Sequence, residues 1–546
     1  MKITLRLLFA ALALAGSLFA QSSKPEDSMT AEALRAHVRF LSDDLLEGRG
    51  TGTRGHEIAA RYSAAQFEGM GLKPGGDNST YFQAVHLRQA LFNTEQSSFS
   101  LTTNGQEERL ALEKDWYSPG DYLRTDTSAE GQVVYVGFGL TAPELNHDDY
   151  AGVDVQGKIV AYFPGAPASW ESSLHAYYSS TYLKAKTAAE HGAIGVIGMW
   201  SPTLEKAFSW ERAVRNYKFP LFKIVDKNGR PNDSYEQLRA GAAIPLSRAK
   251  QLLAAANKDA EQLFKEADEG KVQSFELPVT AKIHLLTQHK DSTSPNVVAV
   301  LLGSDPKLKD EYVVYSAHLD HLGISAPDKG DSINNGAYDN ATGSAALIEI
   351  ARAFSRLPRP PKRSLIFLNV TGEEKGLLGA YYYSLNPTVA KDSIVADINM
   401  DELASLFPLK DVVGLGVEHS TLQNDFKSEA ARLGFEISPD PFPDENDFIR
   451  SDQFPFVRAG IPSLYVTPGM KSTDPNVDGK AIFMNWLQNI YHTPHDEITL
   501  SFDWPSNVRL AKLDFLIGQR VANAPQRPTW NKGDFFQQKF GGPVGK

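Results

Sequence analysis

The chain has no cysteine among its 546 residues, which removes disulfides, thiol nucleophiles and thiolate metal sites together. Any metal must sit on His, Asp and Glu. Basic charge is also short: 55 Lys and Arg stand against 66 Asp and Glu, a formal charge of -11. No Lys/Arg run concentrates it, so nucleic acid is excluded as a partner, because phosphate binding needs clustered cations. No apolar run reaches the ~20 residues that span a bilayer. The stretch from Leu7 to Ala20 follows Lys2 and Arg6 and precedes small and polar residues. It predicts a signal peptide over 1–20, export to the periplasm or beyond, and no stable membrane span. A G-x-S-x-G elbow is missing too, which leaves a serine hydrolase without support.

Apolar residues make up 42% and charged residues 22%, as in soluble globular enzymes. The length suits two domains, or one large domain carrying an insertion. Four parts follow the leader. Residues 21–120 open with two helices, the second from about Gly55 to Met70. In the turn between them, "GTGTRG" (Gly50 to Gly55) matches a dinucleotide fingerprint in letters alone, since helix and turn precede it where the fingerprint's mechanism needs a strand. Residues 121–285 carry short strands, as in "GQVVYVGFGL" and "GKIVAYFPG", and predict a compact β-rich module. Over 286–525, apolar strands such as Leu365 to Val370 and Ile394 to Met400 alternate with helices such as "GSAALIEIARAFSRL". That alternation predicts an α/β fold with a mixed, mostly parallel sheet covered on both faces. Residues 526–546 form a tail without a readable motif.

Acids and imidazoles collect at the predicted strand ends, where such sheets place their chemistry. His318 and Asp320 follow "YVVYSA", Asp339 lies in "NNGAYDNATG", Glu373 and Glu374 follow "SLIFLNVTG", Asp401 follows "IVADINM", and His492 lies in "IYHTPHDE". Charge arithmetic favours two divalent cations: Asp339, Glu374 and Asp401 with one hydroxide balance them, and two imidazoles fill the shells. If one carboxylate bridges, each ion keeps a position open for substrate. Glu373 is then left as a general base.

Competing motifs are incomplete. "SAHLDH" has the tail of a metallo-β-lactamase signature, but Ser316 stands where its first histidine belongs. "RGHEIAAR" begins like a zincin helix, yet Arg61 replaces the second histidine. In "HTPH", Thr-Pro argues against a helix that would align His492 with His495, so one of the two is expected as a ligand.

"SAHLDHLG", "INNGAYDNATGSAALIEIARAF", "TGEEKGLLGA", "NMDE", "SDQFPFVRAGIPSLYV" and "YHTPHDE" together resemble the di-zinc exopeptidase family of bacterial leucyl aminopeptidases and glutamate carboxypeptidases. The match covers about 290 to 525 and the N-terminal helices. "GKIVAYFPG" and "AAEHGAIGVIG" are similar to the protease-associated domain inserted in many members. The resemblance implies two Zn2+, with Co2+ or Mn2+ as possible substitutes: His318 and Asp401 on one, Glu374 and His492 on the other, Asp339 bridging. It also implies that Asp320 orients His318, that a non-proline cis bond follows Asp320, and that Glu373 activates a water bridging the metals. Arg450, Ser451, Asp452, Gln453 and Glu402 are expected around the substrate pocket. Gln453 departs from the family's usual His there, and Glu402 from its usual neutral residue.

The function so implied is an exported aminopeptidase that acts on peptides, as a monomer or homodimer. A glutamate carboxypeptidase-like enzyme is the alternative, with Arg450 as its clamp for a terminal carboxylate. Glutaminyl cyclase chemistry uses one zinc and usually lacks the inserted domain. A receptor-like binding protein would have degraded metal residues, whereas all are present here.

Overall fold

The computed structural model describes residues 24–217, 220–271, 273–442 and 447–543; the leader expected over 1–20 lies outside them. In chain order the elements that matter are α1 (Ala31–Leu41), α2 (Arg54–Gly69), β1 (Phe82–Phe92), β2 (Asp126–Tyr135), β3 (Ile159–Tyr162), β4 (Gly195–Met199), β5 (Ala240–Ile244), β6 (Phe275–Leu301), β7 (Tyr312–His318), α3 (Thr342–Ser355), β8 (Ser364–Val370), β9 (Ile394–Asn399), β10 (Asp411–Leu415), β11 (Ser463–Pro468) and α4 (Trp504–Asn523). One sheet runs β5-β4-β3-β2-β6-β8-β7-β9-β11-β10. Strands β8, β7, β9 and β11 are parallel, while β6 and β10 flank them antiparallel.

Every residue of β8 and β9 is buried, which explains why both read as unbroken apolar runs rather than alternating ones. One face of this half packs on α1, α2, α3 and α4 through Leu34, Phe67, Ile348, Phe354 and Phe515. The other face meets Ala380, Tyr383 and Phe456. Because β7, β8 and β9 run parallel, their C-terminal ends share one edge, and His318, Glu373, Glu374 and Asp401 follow from that edge.

The boundary expected at 285 falls inside β6, a single strand of 27 residues. Its first half pairs with β2 and its second with β8. Strands β2, β3, β4 and β5 are mutually parallel, with helices at Thr181–Glu190 and Leu246–Ala254, so this half is itself α/β. The tail is docked: Trp530 and Phe536 are buried, and Phe536 lies against Phe448 and Phe454.

Among the described residues of this first half, Lys184 is buried, at 1% exposure, and its ammonium donates to the Gly165 carbonyl at 2.5 Å. Burial lowers it to about 7, against the pull of Asp149. The unfolded chain, with an ordinary lysine near ~10.4, therefore holds more protons between the two values, and stability from this group rises with pH across that window. Lys184→Met should raise the melting temperature at pH 7, where the charge is costly. At pH 10 the sign should reverse, because the neutral amine keeps a hydrogen bond worth about 1 kcal/mol that methionine cannot make. Melting curves that shift equally at both pH values would refute this.

Candidate metal centre

His318 closes β7 and is 1% exposed. Its Nδ1–H donates to the Asp320 main-chain oxygen at 3.1 Å, which leaves Nε2 facing Asp401 Oδ1 at 3.0 Å and Asp339 Oδ1 at 3.2 Å. The contact of Asp320 with the other ring nitrogen of His318 is made by its backbone carbonyl. The carboxylate is drawn elsewhere by two better donors, the Thr51 hydroxyl at 2.7 Å and the Glu373 amide at 3.1 Å. The non-proline cis bond expected after Asp320 stands instead at Asp339–Asn340.

Asp339 sits in the short turn Ala337–Ala341, entered through Gly336 at φ 56°. The Tyr338 and Asp339 amides both donate to the Asp496 carboxylate, at 2.8 and 3.0 Å. His492 Nε2 reaches Asp339 Oδ2 and Glu374 Oε2, each at 3.2 Å; its ring stacks on Tyr491 with centroids 3.8 Å apart. His495 points to Asp328 at 3.0 Å, so only His492 of that pair joins the cluster. The structure therefore brings His318, Asp339, Glu374, Asp401 and His492 together. His318, Asp339 and Asp401 form one group able to hold a cation, and Asp339, Glu374 and His321 another.

Adjacent glutamates are pushed in opposite directions. Burial, with Asp401, Glu374 and Asp452 nearby, raises Glu373 well above the carboxylate range against the pull of His318. Burial would also raise Glu374, but His492 and His321 hold it well below. Such a split gives Glu373 the higher affinity for a proton and leaves Glu374 the better counterion. Burial would lower His492, yet Glu374 and Asp339 bring it up to about 10. This excess of acid facing imidazole suits a cation. So does His321, whose Nδ1 pairs with Glu374 Oε1 at 2.6 Å while its buried Nε2 makes no hydrogen bond; such an atom is costly unless something satisfies it.

The expected pocket residues divide. Ser451, Asp452 and Gln453 are buried and act beneath the cluster rather than lining open space. The Ser451 hydroxyl donates to Asp401 Oδ2 at 2.6 Å, and Asn399 Nδ2 donates to Ser451 Oγ and Gln453 Oε1, both at 2.8 Å. The reason is local: helix Gln453–Arg458 turns these side chains inward under β9. Arg450 is exposed and lies close enough to act on Tyr491. Glu402, at φ 47°, is raised by burial and by Asp339, Asp401 and Asp447.

Three residues of the site were not anticipated. Arg49, 1% exposed, donates to the carbonyls of Leu41, Leu319, Asn335 and Gly336, tying the His318 loop to the Asp339 loop. It belongs to the glycine-rich turn whose letters match a fingerprint. Gly48, at φ +65°, lets that turn approach so closely that a Cβ would lie 2.6 Å from the Asn334 oxygen. Asp496 and His321 are the others; each stands within a motif quoted for a neighbouring residue.

Residues 296–516 match the model of peptidase family M28. Leupeptin-inactivating enzyme 1 of Streptomyces exfoliatus is 34% identical over 172 residues, 31% of this chain and 35% of its own. A probable zinc metalloprotease of Pyrenophora tritici-repentis is 27% identical over 290 residues, 46% of this chain and 63% of its own. The chain thus spans about a third of the first of these relatives and under two thirds of the second. The aminopeptidase from Aneurinibacillus sp. strain AM-1 shares the fold, with a TM-score of 0.53 at 20% identity over 91% of this chain and 94% of its own.

Proposed function

We propose that this chain, whose residues 296–516 match the model of peptidase family M28, is an exported di-zinc aminopeptidase that removes N-terminal residues from peptides. The observation that carries the reading is the cluster in which Asp339 lies between His318 and His492, with Asp401 and Glu374 at its two sides. His318 and Asp401 would hold one metal, Glu374 and His492 the other, and Asp339 both; cobalt or manganese could replace zinc on such donors. Zinc, when bound, supplies Lewis acidity to the scissile carbonyl.

The chain's own groups move the proton. Glu373, held through its amide by Asp320, takes a proton from water as the oxygen adds to the carbonyl, then passes it to the leaving amine. Peptide and water become a free amino acid and a shortened peptide. Ser451 fixes Asp401, and Asp496 fixes the Asp339 turn. Half-buried Glu402, beside Asp401 and influenced by Asp447, supports a free ammonium as the recognised end. Arg450 keeps the carboxypeptidase alternative testable. A leader over 1–20 and a protease-associated module over 121–285 belong to the same proposal.

One peptide in three forms tests it: free at both ends, N-acetylated, and C-amidated, with products identified by mass spectrometry. Free and amidated peptides should shorten from the N-terminus while the acetylated one survives. Blockage by amidation and not by acetylation would replace this reading with the carboxypeptidase one.

A further inference from the structure

The cluster contains a third imidazole. His321 is fully buried, and its Nδ1 lies 2.6 Å from Glu374 Oε1 and 3.7 Å from Asp339 Oδ2. A buried histidine beside a glutamate is ordinarily hydrogen-bonded to it. Here Nδ1 and Glu374 Oε1 meet as a close ion pair with no donor aligned along the line between them, and the other ring nitrogen, Nε2, is buried without a hydrogen bond. The ring is also wedged: the His321 amide donates to the Arg49 carbonyl at 3.2 Å, and a Cβ added at Gly336 would fall 2.6 Å from its carbons. His492 approaches Glu374 through the other oxygen, Oε2. Glu374 therefore stands between two imidazoles, one on each oxygen, with Asp339 Oδ2 facing both.

We propose that His321 is a ligand of the metal held by Glu374 and His492, so that this position has four protein donors and the His318 position only three. Four-donor sites are the closed, structural kind, whereas three-donor sites leave room for water or substrate. The two ions are then unequal: the one at His321 is retained and fixes the framework, and the one at His318 carries the open face. Asp339, shared by both, transmits the fixed geometry to the open position. The pairing follows from chain geometry. His318 and His321 flank Asp320, three residues apart, and the turn between them sends one imidazole to each side of Asp339.

This inference rests on the two-metal reading above, and its test separates the two. Wild type, His321→Ala and His321→Gln are loaded with zinc, dialysed and assayed for zinc content, for affinity by competition with a chromophoric chelator, and for imidazoles per zinc by X-ray absorption. Wild type should hold two zinc ions with about 1.5 imidazoles each, three shared by two, where a five-ligand set gives about 1. Both variants should keep one ion at wild-type affinity and bind the other at least about 100-fold more weakly, beyond what loss of a supporting partner costs. Their imidazole count should fall to about 1. Two ions with about 1 imidazole each in wild type, or variants with unchanged affinities, would overturn the role of His321 alone. A wild type that takes up no second zinc would overturn the two-metal reading itself. If the variants fail to fold, the wild-type count still decides.

Discussion

Glu373→Gln should retain zinc and lose turnover by about 10²–10⁴-fold, the usual worth of a positioned proton carrier. The substitution is isosteric, and what holds Glu373 in place is its amide on Asp320 Oδ1, which glutamine keeps. Among the described residues His318 acts on the Glu373 carboxylate without the close ion-pair contact that Asp339, Glu374 and Asp401 make with imidazoles. Burial, with Asp401, Glu374 and Asp452, instead raises its affinity for a proton, and a carboxylate of raised affinity can take the proton of water and return it to the leaving amine. Glu374→Gln makes the contrast: it removes half the charge facing His492 and His321 and should cost zinc as well as activity. Zinc content by mass spectrometry alongside turnover separates the two. Full residual turnover in Glu373→Gln, or loss of its zinc, would remove Glu373 from the role of base.

Much of this was legible because strand-end chemistry is local. "YVVYSAHLD" places an imidazole at the end of a buried strand by its own pattern, and the ends of β8 and β9 behave alike. The Asp401 partner Ser451 was seen but read as pocket lining, since sequence alone does not say which way a helix turns its first residues. Arg49 was illegible for a stronger reason: three of its four acceptors, Leu319, Asn335 and Gly336, are 270 to 287 residues away, and only tertiary structure brings them together. Asp496 was hidden beside His495, which drew attention as an imidazole while the neighbouring carboxylate held the Asp339 turn. The run from 275 to 301 gives no sign that one strand serves both halves of the sheet, because alternating burial over its first half gives way to a more exposed stretch and then to continuous burial near its end. Such a shift ordinarily marks two elements.

Arg49→Met should be the most destabilising single change near the site, lowering the unfolding free energy by about 3–5 kcal/mol, as removal of one partner from a buried ionic network does. The guanidinium serves four carbonyls, and methionine fills the space without donating to any. Burial brings Arg49 down to about 10, so it remains charged at pH 7 and offsets Asp339, Asp496, Asp320 and Glu374. Arg49→Lys should fall between, since an ammonium restores the charge but not the planar fork that reaches several acceptors at once. Zinc retention tells which property matters. If charge dominated, removing a cation beside the cluster would tighten zinc binding. If position dominates, releasing the Leu319 and Gly336 carbonyls lets the His318 and Asp339 loops drift apart and zinc is held more weakly. Position should win, because the donor atoms must converge within tenths of an ångström, whereas the acids left behind can relieve their repulsion by taking up protons. Arg49→Met is therefore expected to melt lower, to lose zinc on dialysis, and to recover part of its stability in excess zinc through mass action. A variant that melts within about 1 kcal/mol of wild type, or binds zinc more tightly, would show that the turn does not hold the two loops in register.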